Sequence, residues 1–479
     1  MRKALFAPIV VILSSVLPAC SPVRLDQPLM VASGFTSHQV CSETFVSGLN
    51  PDQVYAERVK PTGAIRFIDS LIHYDVDREK HEVTTTVAGL YKTRAVYRDH
   101  MGCLLLHGIE EVNQAATVDD VSAAGSSISL VPEIAGSAVV EPRDLHLRAA
   151  LDRAFAEREQ PPFIRTKAVV VVKDGKIVAE RYAPGVGVDT QLLGFSAMKS
   201  VTNALIGILV RQGKLNTAQA APIVAWQDKN DARHVITVDH LLRQTSGLAL
   251  EQTNSGFDIN SRMLYIERDM AAFAEGAELT TPPGAHWAYT DGNYVLLSRI
   301  IRDAVGGRAA EVRAFAQHEL FEPTGMQHVT LEFDATDTPL GANYMFASAR
   351  DWARFGLLYL NDGMVASDRI LPRGWVKYSS TQTLDTGYGA GFWINGVSGN
   401  APWGLPWGMP HVPPDAFFAM GYMGQHVVIV PSQHLVVVRL GMSHHQDGLI
   451  SGADRLVADV IAALQPDASA ALRPLQIKR

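Results

Sequence analysis

Residues 192–215 read LLGFSAMKSVTNALIGILVRQGKL and place Ser196 three residues before Lys199, at the head of an apolar run. Positions i and i+3 share one face of a helix, so the amine of Lys199 is predicted to lie beside the Ser196 hydroxyl. A serine hydroxyl becomes an effective nucleophile when a neighbouring base removes its proton. A lysine can be that base where apolar surroundings lower its pKa. The stretch therefore predicts a helix that begins with a nucleophile and its base.

Chance is the alternative explanation for this pair. About one Ser-x-x-Lys quartet is expected by chance in a chain of this length. Ser246 is a rival nucleophile, but it has no base at helical spacing and is better explained as part of a turn. Other segments must therefore decide.

A second segment, PPGAHWAYTDGNYVLLSRII at 282–301, carries Tyr289 and Asp291 between a turn and an apolar helix predicted from about Tyr294. A tyrosine in such a loop, directed at the serine, could carry a proton to the leaving group. The segment adds a candidate acid or base to the pair.

A third segment, AMGYMGQHVVIV at 419–430, contains Gly421 and Gly424 where a strand begins. Glycines allow a strand to approach a ligand closely. We expect the backbone N–H groups of Ser196 and Gln425 to stabilise the oxyanion of an acyl-transfer reaction.

In this order, the three segments resemble the serine β-lactamase and penicillin-binding protein superfamily. More narrowly they resemble its class C-like branch, which includes family VIII carboxylesterases, D-aminopeptidases and 6-aminohexanoate-dimer hydrolases. ITVDHLLRQTSGL at 236–248 and YMFASARDWARFGLLYLNDG at 344–363 support the resemblance, which covers about 145–465.

The resemblance implies an α+β fold, in which an antiparallel sheet is flanked by helices and accompanied by a mostly helical subdomain. It also implies that Ser196 is the acylated nucleophile, that Lys199 is its base, and that Tyr289 is the family's catalytic tyrosine. Asp291 departs from the pattern, because asparagine is usual there. A carboxylate at this position would favour the charged form of Lys199 and move the role of base towards Tyr289.

A second departure concerns Tyr422-Met423-Gly424, which falls where β-lactamases carry Lys-Thr-Gly. That lysine helps to hold the substrate carboxylate, so its absence favours esters or amides with neutral or apolar flanks. The residues expected to contact substrate are Asp291, Tyr422, Gly424, Trp287 and Tyr344. For Trp287, Tyr344, Trp403 and Trp407, packing is an equally open interpretation.

The first twenty residues, 1–20, are predicted to be a signal peptide. Arg2 and Lys3 precede an apolar run that ends in LPAC at Cys20. This box resembles a lipoprotein cleavage site, so we expect a periplasmic protein anchored to the membrane through lipidated Cys20. Cleavage and release is the alternative. Cys41 and Cys103 then form an even pair, which an oxidising compartment would allow to bridge; two unpaired buried thiols are the alternative.

Residues 21–140 are predicted to form a small β-rich accessory unit and a linker, followed by the main hydrolase domain at 141–468. In the main domain, RDLHLRAALDRAFAER and SGADRLVADVIAALQ have helical periodicity. TKAVVVVKDGKIVAERYAPG predicts a hairpin turning at Asp174-Gly175. DAFFAMGYMGQHVVIVPSQHLVVVRLGMS predicts two or three strands, so the two ends of the domain can complete one antiparallel sheet.

Composition excludes other classes of function. The chain has 479 residues, 47% of them hydrophobic, and a net charge of −7. No basic run predicts a nucleic-acid partner, no histidine spacing is typical of zinc, and no cofactor motif appears. The sequence specifies no oligomeric state.

Three hypotheses follow. The first is an exported serine hydrolase that acts on a small ester or amide through an acyl-enzyme. The second is a β-lactamase or D-Ala-D-Ala carboxypeptidase on the same fold. The third is a catalytically weak cell-envelope binding protein.

Overall fold

A computed structural model describes residues 26–106, 131–397, 408–444 and 451–465. The predicted signal peptide with Cys20, and the tryptophans Trp403 and Trp407, lie outside the described residues. Within the described part, no helix combines the length and the apolar character needed to cross a bilayer.

The N-terminal unit consists of one long helix packed on a four-stranded antiparallel sheet. Its helices are α1 (Gln27–Phe45), α2 (Pro51–Val54) and α3 (Ile65–Ile68). Its strands, in sheet order, are β1 (Ile72–Asp77), β2 (Glu82–Val87), β3 (Tyr91–Arg98) and β4 (Gly102–Leu106).

Helix α1 is buried on all sides along most of its length, because it lies between this sheet and the rest of the protein. Ser33 Oγ donates to the Thr85 carbonyl at 3.1 Å, which satisfies a polar group on the sheet side. A disulfide joins Cys41 of α1 to Cys103 of β4. Closing a loop of 62 residues restricts the unfolded chain by about 4 kcal/mol, so the pair expected from the cysteine count ties α1 to its sheet.

The main body contains a six-stranded antiparallel sheet in the order β12-β13-β14-β15-β5-β6, and two small sheets. Its strands are β5 (Thr166–Lys173), β6 (Lys176–Tyr182), β7 (Leu192–Leu193), β8 (Val329–Leu331), β9 (Met345–Ala347), β10 (Met364–Val365), β11 (Asp368–Arg369), β12 (Trp393–Ile394), β13 (Phe417–Gly421), β14 (Gln425–Val430) and β15 (Leu435–Gly441).

Helices cover both faces of the main sheet and form a separate group beside it. They are α4 (Leu145–Phe155), α5 (Met198–Arg211), α6 (Val238–Leu242), α7 (Ile259–Tyr265), α8 (Met270–Glu275), α9 (Asp291–Val305), α10 (Ala309–Ala316), α11 (Glu322–Thr324), α12 (Ala349–Leu360), α13 (Trp375–Ser379) and α14 (Ala453–Leu464).

The run of four valines in β5 reflects a strand that is buried on both faces. Val169 and Val171 pack with α4 and α14 on one side. Val170 and Val172 pack on the other side, in the large core that contains α5 and α12. The sheet order also places β5, from the start of the domain, beside β15, from its end. The prediction that the two ends of the domain complete one antiparallel sheet is confirmed.

The described end of the predicted linker, residues 131–140, lies on the main body beside β6. Ile177 N donates to the Ile134 carbonyl at 2.9 Å, and Glu180 N donates to the Val140 carbonyl at 2.9 Å. The predicted helix at 145–155 is α4, although Leu145 is 74% exposed. The buried face of α4 therefore includes fewer residues than the apolar pattern of its sequence indicates.

Candidate active site

Three segments of the chain meet at Ser196. This residue lies in a tight helical turn, Phe195–Ala197, that leads into α5. Tyr289 and Asp291 lie where α9 begins, with Thr290 as the N-cap. The end of β13 packs against the Ser196 turn, since a Cβ placed on Gly421 would lie 2.1 Å from the Gly194 carbonyl oxygen. Only glycine can occupy that position without moving the turn.

Lys199 is 1% exposed and directs its amine at three acceptors. Its Nζ lies 3.1 Å from Ser196 Oγ, 2.5 Å from Asp291 Oδ1 and 3.0 Å from the carbonyl oxygen of Ala342. The carboxylate and the carbonyl can only accept, so they use two N–H groups whether the lysine is charged or neutral. The third position faces Ser196 and Tyr289, which is also hydrogen-bonded to Lys199. The proton that Lys199 loses on becoming a base is therefore the one directed at these two hydroxyl groups.

Asp291 is 2% exposed and has a fixed orientation. Its Oδ2 accepts hydrogen bonds from Asn260 Nδ2 at 3.1 Å and from Asn343 Nδ2 at 3.3 Å, while Oδ1 accepts from Lys199. Its place in the first turn of α9 also favours a negative charge. Sequence reasoning missed both asparagines, because neither belongs to a recognisable motif.

Burial and Asp291 act in opposite directions on Lys199. Burial lowers the pKa of Lys199, but the attraction and hydrogen bond of the Asp291 carboxylate, together with those of Tyr289, outweigh it, and the pKa of Lys199 is raised above its ordinary value. Burial alone is thus not enough to make Lys199 the neutral base suggested by the apolar flanks. In the resting site it is an ammonium group paired with a carboxylate.

Tyr289 is hydrogen-bonded through its side chain to both Ser196 and Lys199. Burial raises the pKa of Tyr289; Lys199 lowers it and Asp291 raises it again, so that the net pKa lies above the ordinary value. The Tyr289 ring packs edge-on against Tyr388 at 5.9 Å and is tilted against Trp393 at 5.7 Å. The resting phenol is thus protonated and held in place by an aromatic cluster.

Phe195 carries backbone strain directly before the serine. Its φ is +47°, a left-handed conformation that is uncommon for a bulky residue and persists where the surroundings enforce it. The Arg58 guanidinium lies over the Phe195 ring at 4.9 Å, and the Tyr422 ring packs edge-on against it at 5.5 Å. Arg58 is buried and paired with Glu43 of α1. The N-terminal unit therefore supports the turn that presents Ser196.

The expected second oxyanion donor, Gln425, lies elsewhere. Gln425 pairs with Gly421 in the β13–β14 ladder and is 1% exposed. Its side chain donates to the carbonyl oxygens of Tyr422 and Gly441. The residue that follows Gly421 beside the Ser196 turn is Tyr422, which lines the same cavity as Ser196. The geometry therefore replaces the Gln425 N–H with that of Tyr422 as the candidate donor.

The alignment of Tyr422-Met423-Gly424 with Lys-Thr-Gly is corrected in the same way. Met423 and Gly424 have φ values of +62° and +82° and form the tight turn between β13 and β14. Gly424 packs against the Arg439 guanidinium and does not line the cavity in front of Ser196, where a contact with substrate was expected. The strand residues beside Ser196 are Met420 and Gly421, with Tyr422 following.

Trp287 and Tyr344, expected as possible substrate contacts, are packing residues. Trp287 packs in tilted and edge-on contacts among Tyr289, Tyr388 and Trp393 in the smaller core of the main body. Tyr344 is 1% exposed, and its hydroxyl bonds to Gln39 of α1 at 2.6 Å. Trp287 thus supports the Tyr289 ring, and Tyr344 joins the N-terminal unit to the main body.

A cavity of about 550 Å³ opens in front of Ser196. Its polar end contains Ser196, Tyr289, Asp291, Asn260 and Asn343. Much of the remaining wall comes from α1, from residues 62–68 and from the loop at 252–257. Ser246, the rival nucleophile, bonds to Asn293 at 2.7 Å and does not line this cavity. No cluster suited to a metal ion occurs among the described residues.

Comparison with known proteins supports this fold. The 6-aminohexanoate-dimer hydrolase of Paenarthrobacter ureafaciens is 24% identical over 323 residues, which cover 62% of this chain and 79% of that protein. A penicillin-binding protein homologue from Caulobacter crescentus superposes with a TM-score of 0.52 at 18% identity, covering 70% of this chain and 100% of that one. EstCE1, a hydrolase with promiscuous acyltransferase activity, gives a TM-score of 0.50 at 15% identity, over 67% and 97%.

The sequence profile of one family, described as beta-lactamase, matches residues 151–460. The matched region exceeds half of the chain and contains Ser196, Lys199 and Tyr289. The two solved structures share the arrangement of sheet and helices that surrounds these residues. The chain therefore belongs to the beta-lactamase family of serine hydrolases and has its fold.

Proposed function

We propose that this protein is a serine hydrolase that cleaves ester or amide bonds through an acyl-enzyme on Ser196. The observation that carries the proposal is the distance of 3.1 Å between Lys199 Nζ and Ser196 Oγ, with Tyr289 hydrogen-bonded to both side chains. A nucleophile within hydrogen-bond reach of a base that a third group orients is the arrangement that this chemistry requires.

Acylation begins when Lys199 and Tyr289, with one proton removed from the pair, accept the proton of the Ser196 hydroxyl. The Ser196 Oγ forms a bond to the substrate carbonyl carbon, and the carbonyl π electrons move onto its oxygen. The N–H groups of Ser196 and Tyr422 donate to that oxyanion, and each such donor contributes about 10²–10³-fold in rate. When the oxyanion collapses, the bond to the leaving group breaks, and Tyr289 returns the proton to the leaving oxygen or nitrogen.

Deacylation repeats these steps with water. The same pair removes a proton from the water, whose oxygen forms a bond to the acyl carbon while the bond to Ser196 Oγ breaks. Ser196 recovers its proton and the acid product leaves. No separate glutamate is needed as a base.

The polarity of the cavity favours neutral substrates. No lysine or arginine lines the cavity within the described ranges, and the Asp291 carboxylate is neutralised by Lys199. A substrate carboxylate would lose its hydration there without gaining a cation. The cavity therefore favours esters and amides as substrates over β-lactams or D-Ala-D-Ala peptides. The similarity to a 6-aminohexanoate-dimer hydrolase is the reason for including amides in the proposed substrate class.

The proposal predicts turnover of p-nitrophenyl acetate and butyrate, with kcat/KM for nitrocefin lower by at least about a hundredfold because its carboxylate lacks a cation. Steady-state assays of the purified protein measure both. Ser196→Ala is the control for contaminating activity and should abolish turnover. Faster turnover of nitrocefin would contradict the substrate class. A protein inert to all three substrates would favour the binding-protein hypothesis.

We extend the proposal to location. The apolar first twenty residues that end in LPAC suggest export with a lipid on Cys20. The disulfide between Cys41 and Cys103 supports an oxidising compartment such as the periplasm. Labelling with a radioactive fatty acid, compared with Cys20→Ala, tests the anchor.

A further inference from the structure

The N-terminal unit, which lies outside the region matched by the family profile, forms one side of the cavity in front of Ser196. Helix α1 contributes Pro28, Leu29, Val31, Ala32 and Phe35 to the cavity wall. Leu29, Ala32 and Phe35 are spaced three residues apart and so lie on one side of the helix. We use the name N-terminal wall for these five residues of α1 together with the cavity-lining residues at 62–68.

The second part of the wall is the segment that contains α3. Thr62, Gly63, Ala64, Ile65 and Ile68 line the cavity. A Cβ placed on Gly63 would lie 3.6 Å from the carbonyl oxygen of Asn254, in the loop of the main body on the opposite side. Gln27 Nε2 donates to the carbonyl of Gly256 in the same loop at 3.2 Å. The N-terminal unit therefore meets the main body around the cavity.

The wall is held rigidly. His38 Nε2 lies 2.8 Å from Glu332 Oε2, and Glu332 Oε1 accepts from the backbone N–H of Cys103 at 2.7 Å. Glu332 and His38 are both buried. The disulfide and the buried pair of Glu43 and Arg58 fix the other side of α1. A surface held by several buried contacts is suited to select the shape of a ligand.

The chemistry of the wall is apolar. Leucine, isoleucine, valine and phenylalanine side chains make up most of it, and Leu264 and Met420 of the main body line the same cavity. Polar residues lie around Ser196 and in the loop at 252–257. Ligand sites of this size are commonly apolar, with a few polar groups at the reacting end.

We propose that the N-terminal wall is a substrate-binding surface that selects esters or amides carrying an uncharged, apolar group of several carbons. The inference rests on the proposed function, because it names the substrate class of the same site. Each methylene that moves from water onto the wall favours binding of the transition state by about fourfold.

The test is a series of p-nitrophenyl esters from acetate to decanoate, and a series of alkyl butyrates from ethyl to decyl. With the full chain, kcat/KM should rise at least about tenfold with chain length in one series, until the wall is filled. Leu29→Glu adds a charge to the wall without harming the first turn of α1, where acidic residues are favourable. It should reduce the ratio of long-chain to short-chain kcat/KM by about tenfold or more.

The matched control is Leu90→Glu, since Leu90 is 78% exposed in the same unit and does not line the cavity. It should leave the chain-length ratio unchanged. A flat profile in both series, or an equal loss for short and long chains in Leu29→Glu, would overturn the inference. Failure of the proposed function looks different, because the full chain would then hydrolyse no ester of any length.

Discussion

Replacing Tyr289 with phenylalanine should lower kcat for p-nitrophenyl butyrate by about 10³-fold, within the range known for general acid–base groups. The variant removes one oxygen that is hydrogen-bonded to Ser196 and Lys199, and it leaves the aromatic packing intact. Replacing Lys199 with methionine should cost as much. Because the two groups are proposed to move the same proton, the double variant should be little worse than either single one. Steady-state kinetics of the three variants measures this.

Stability must be followed in parallel, because Lys199→Met leaves the buried Asp291 carboxylate without a cation, and breaking such a buried pair costs about 3–5 kcal/mol. Tyr289→Phe keeps the pair and therefore separates catalysis from folding. Tyr378→Phe is the matched control, since its hydroxyl donates to Asp239 at 2.5 Å and does not line the cavity. Fully multiplicative losses in the double variant would contradict a shared proton path.

Replacing Asp291 with asparagine should move the rise of kcat/KM with pH to lower pH. The base must lose a proton, so activity increases as pH rises towards the pKa of the pair. Burial lowers the pKa of Lys199, while Asp291 and Tyr289 raise it to a net value above the ordinary one; Asp291 also raises the pKa of Tyr289. Removing the carboxylate removes a contribution that raises both pKa values, so the direction is the same whichever group is the base.

The expected result is the direction of the shift, towards lower pH, because the Asp291 carboxylate raises the pKa of both Lys199 and Tyr289. Profiles of kcat/KM between pH 6 and 10 measure it. Asp454→Asn is the control, because Asp454 is buried and bonded to His411, far along the chain and outside the cavity lining. An unchanged profile, or one moved to higher pH in Asp291→Asn, would contradict the role given to Asp291.

The parts of the fold that could be predicted are those with one buried face or a distinct turn. The helical spacing of apolar residues predicts helices α4, α5 and α14. The turn at Asp174-Gly175 between two apolar runs predicts the hairpin of β5 and β6. Ser196 and Lys199 meet because helical spacing alone brings them together. Their meeting with Tyr289 needed the family resemblance, because 90 or more residues separate the segments.

Helix α1 could not be predicted from periodicity. Its residues face a sheet on one side and the main body on the other, so serine, histidine and glutamine are buried as fully as valine. Some of those polar groups bond to partners far along the chain, as His38 does to Glu332 and Gln39 does to Tyr344. A helix without a solvent face has no amphipathic signal.

The sequence and the structure point to different candidate oxyanion donors, Gln425 and Tyr422, for a related reason. Counting along YMGQ cannot tell which residue stands beside the serine, since that depends on where β13 ends. Glycine in a tight hairpin turn was the available signal, because it assigns Gly424 to the turn and leaves Gly421 to approach Gly194. The contacts of Asn260 and Asn343 with Asp291 could not be predicted from the sequence, because only the folded chain brings these residues together.

The most direct test of the central claim is covalent labelling by a small fluorophosphonate, with the adduct mapped by peptide mass spectrometry. If Ser196, Lys199 and Tyr289 act as one unit, a single adduct should form on Ser196. Its rate of formation should fall at least about a hundredfold in Tyr289→Phe, and labelling should persist in Ser246→Ala. An adduct on Ser246, or an unchanged labelling rate in Tyr289→Phe, would contradict the account.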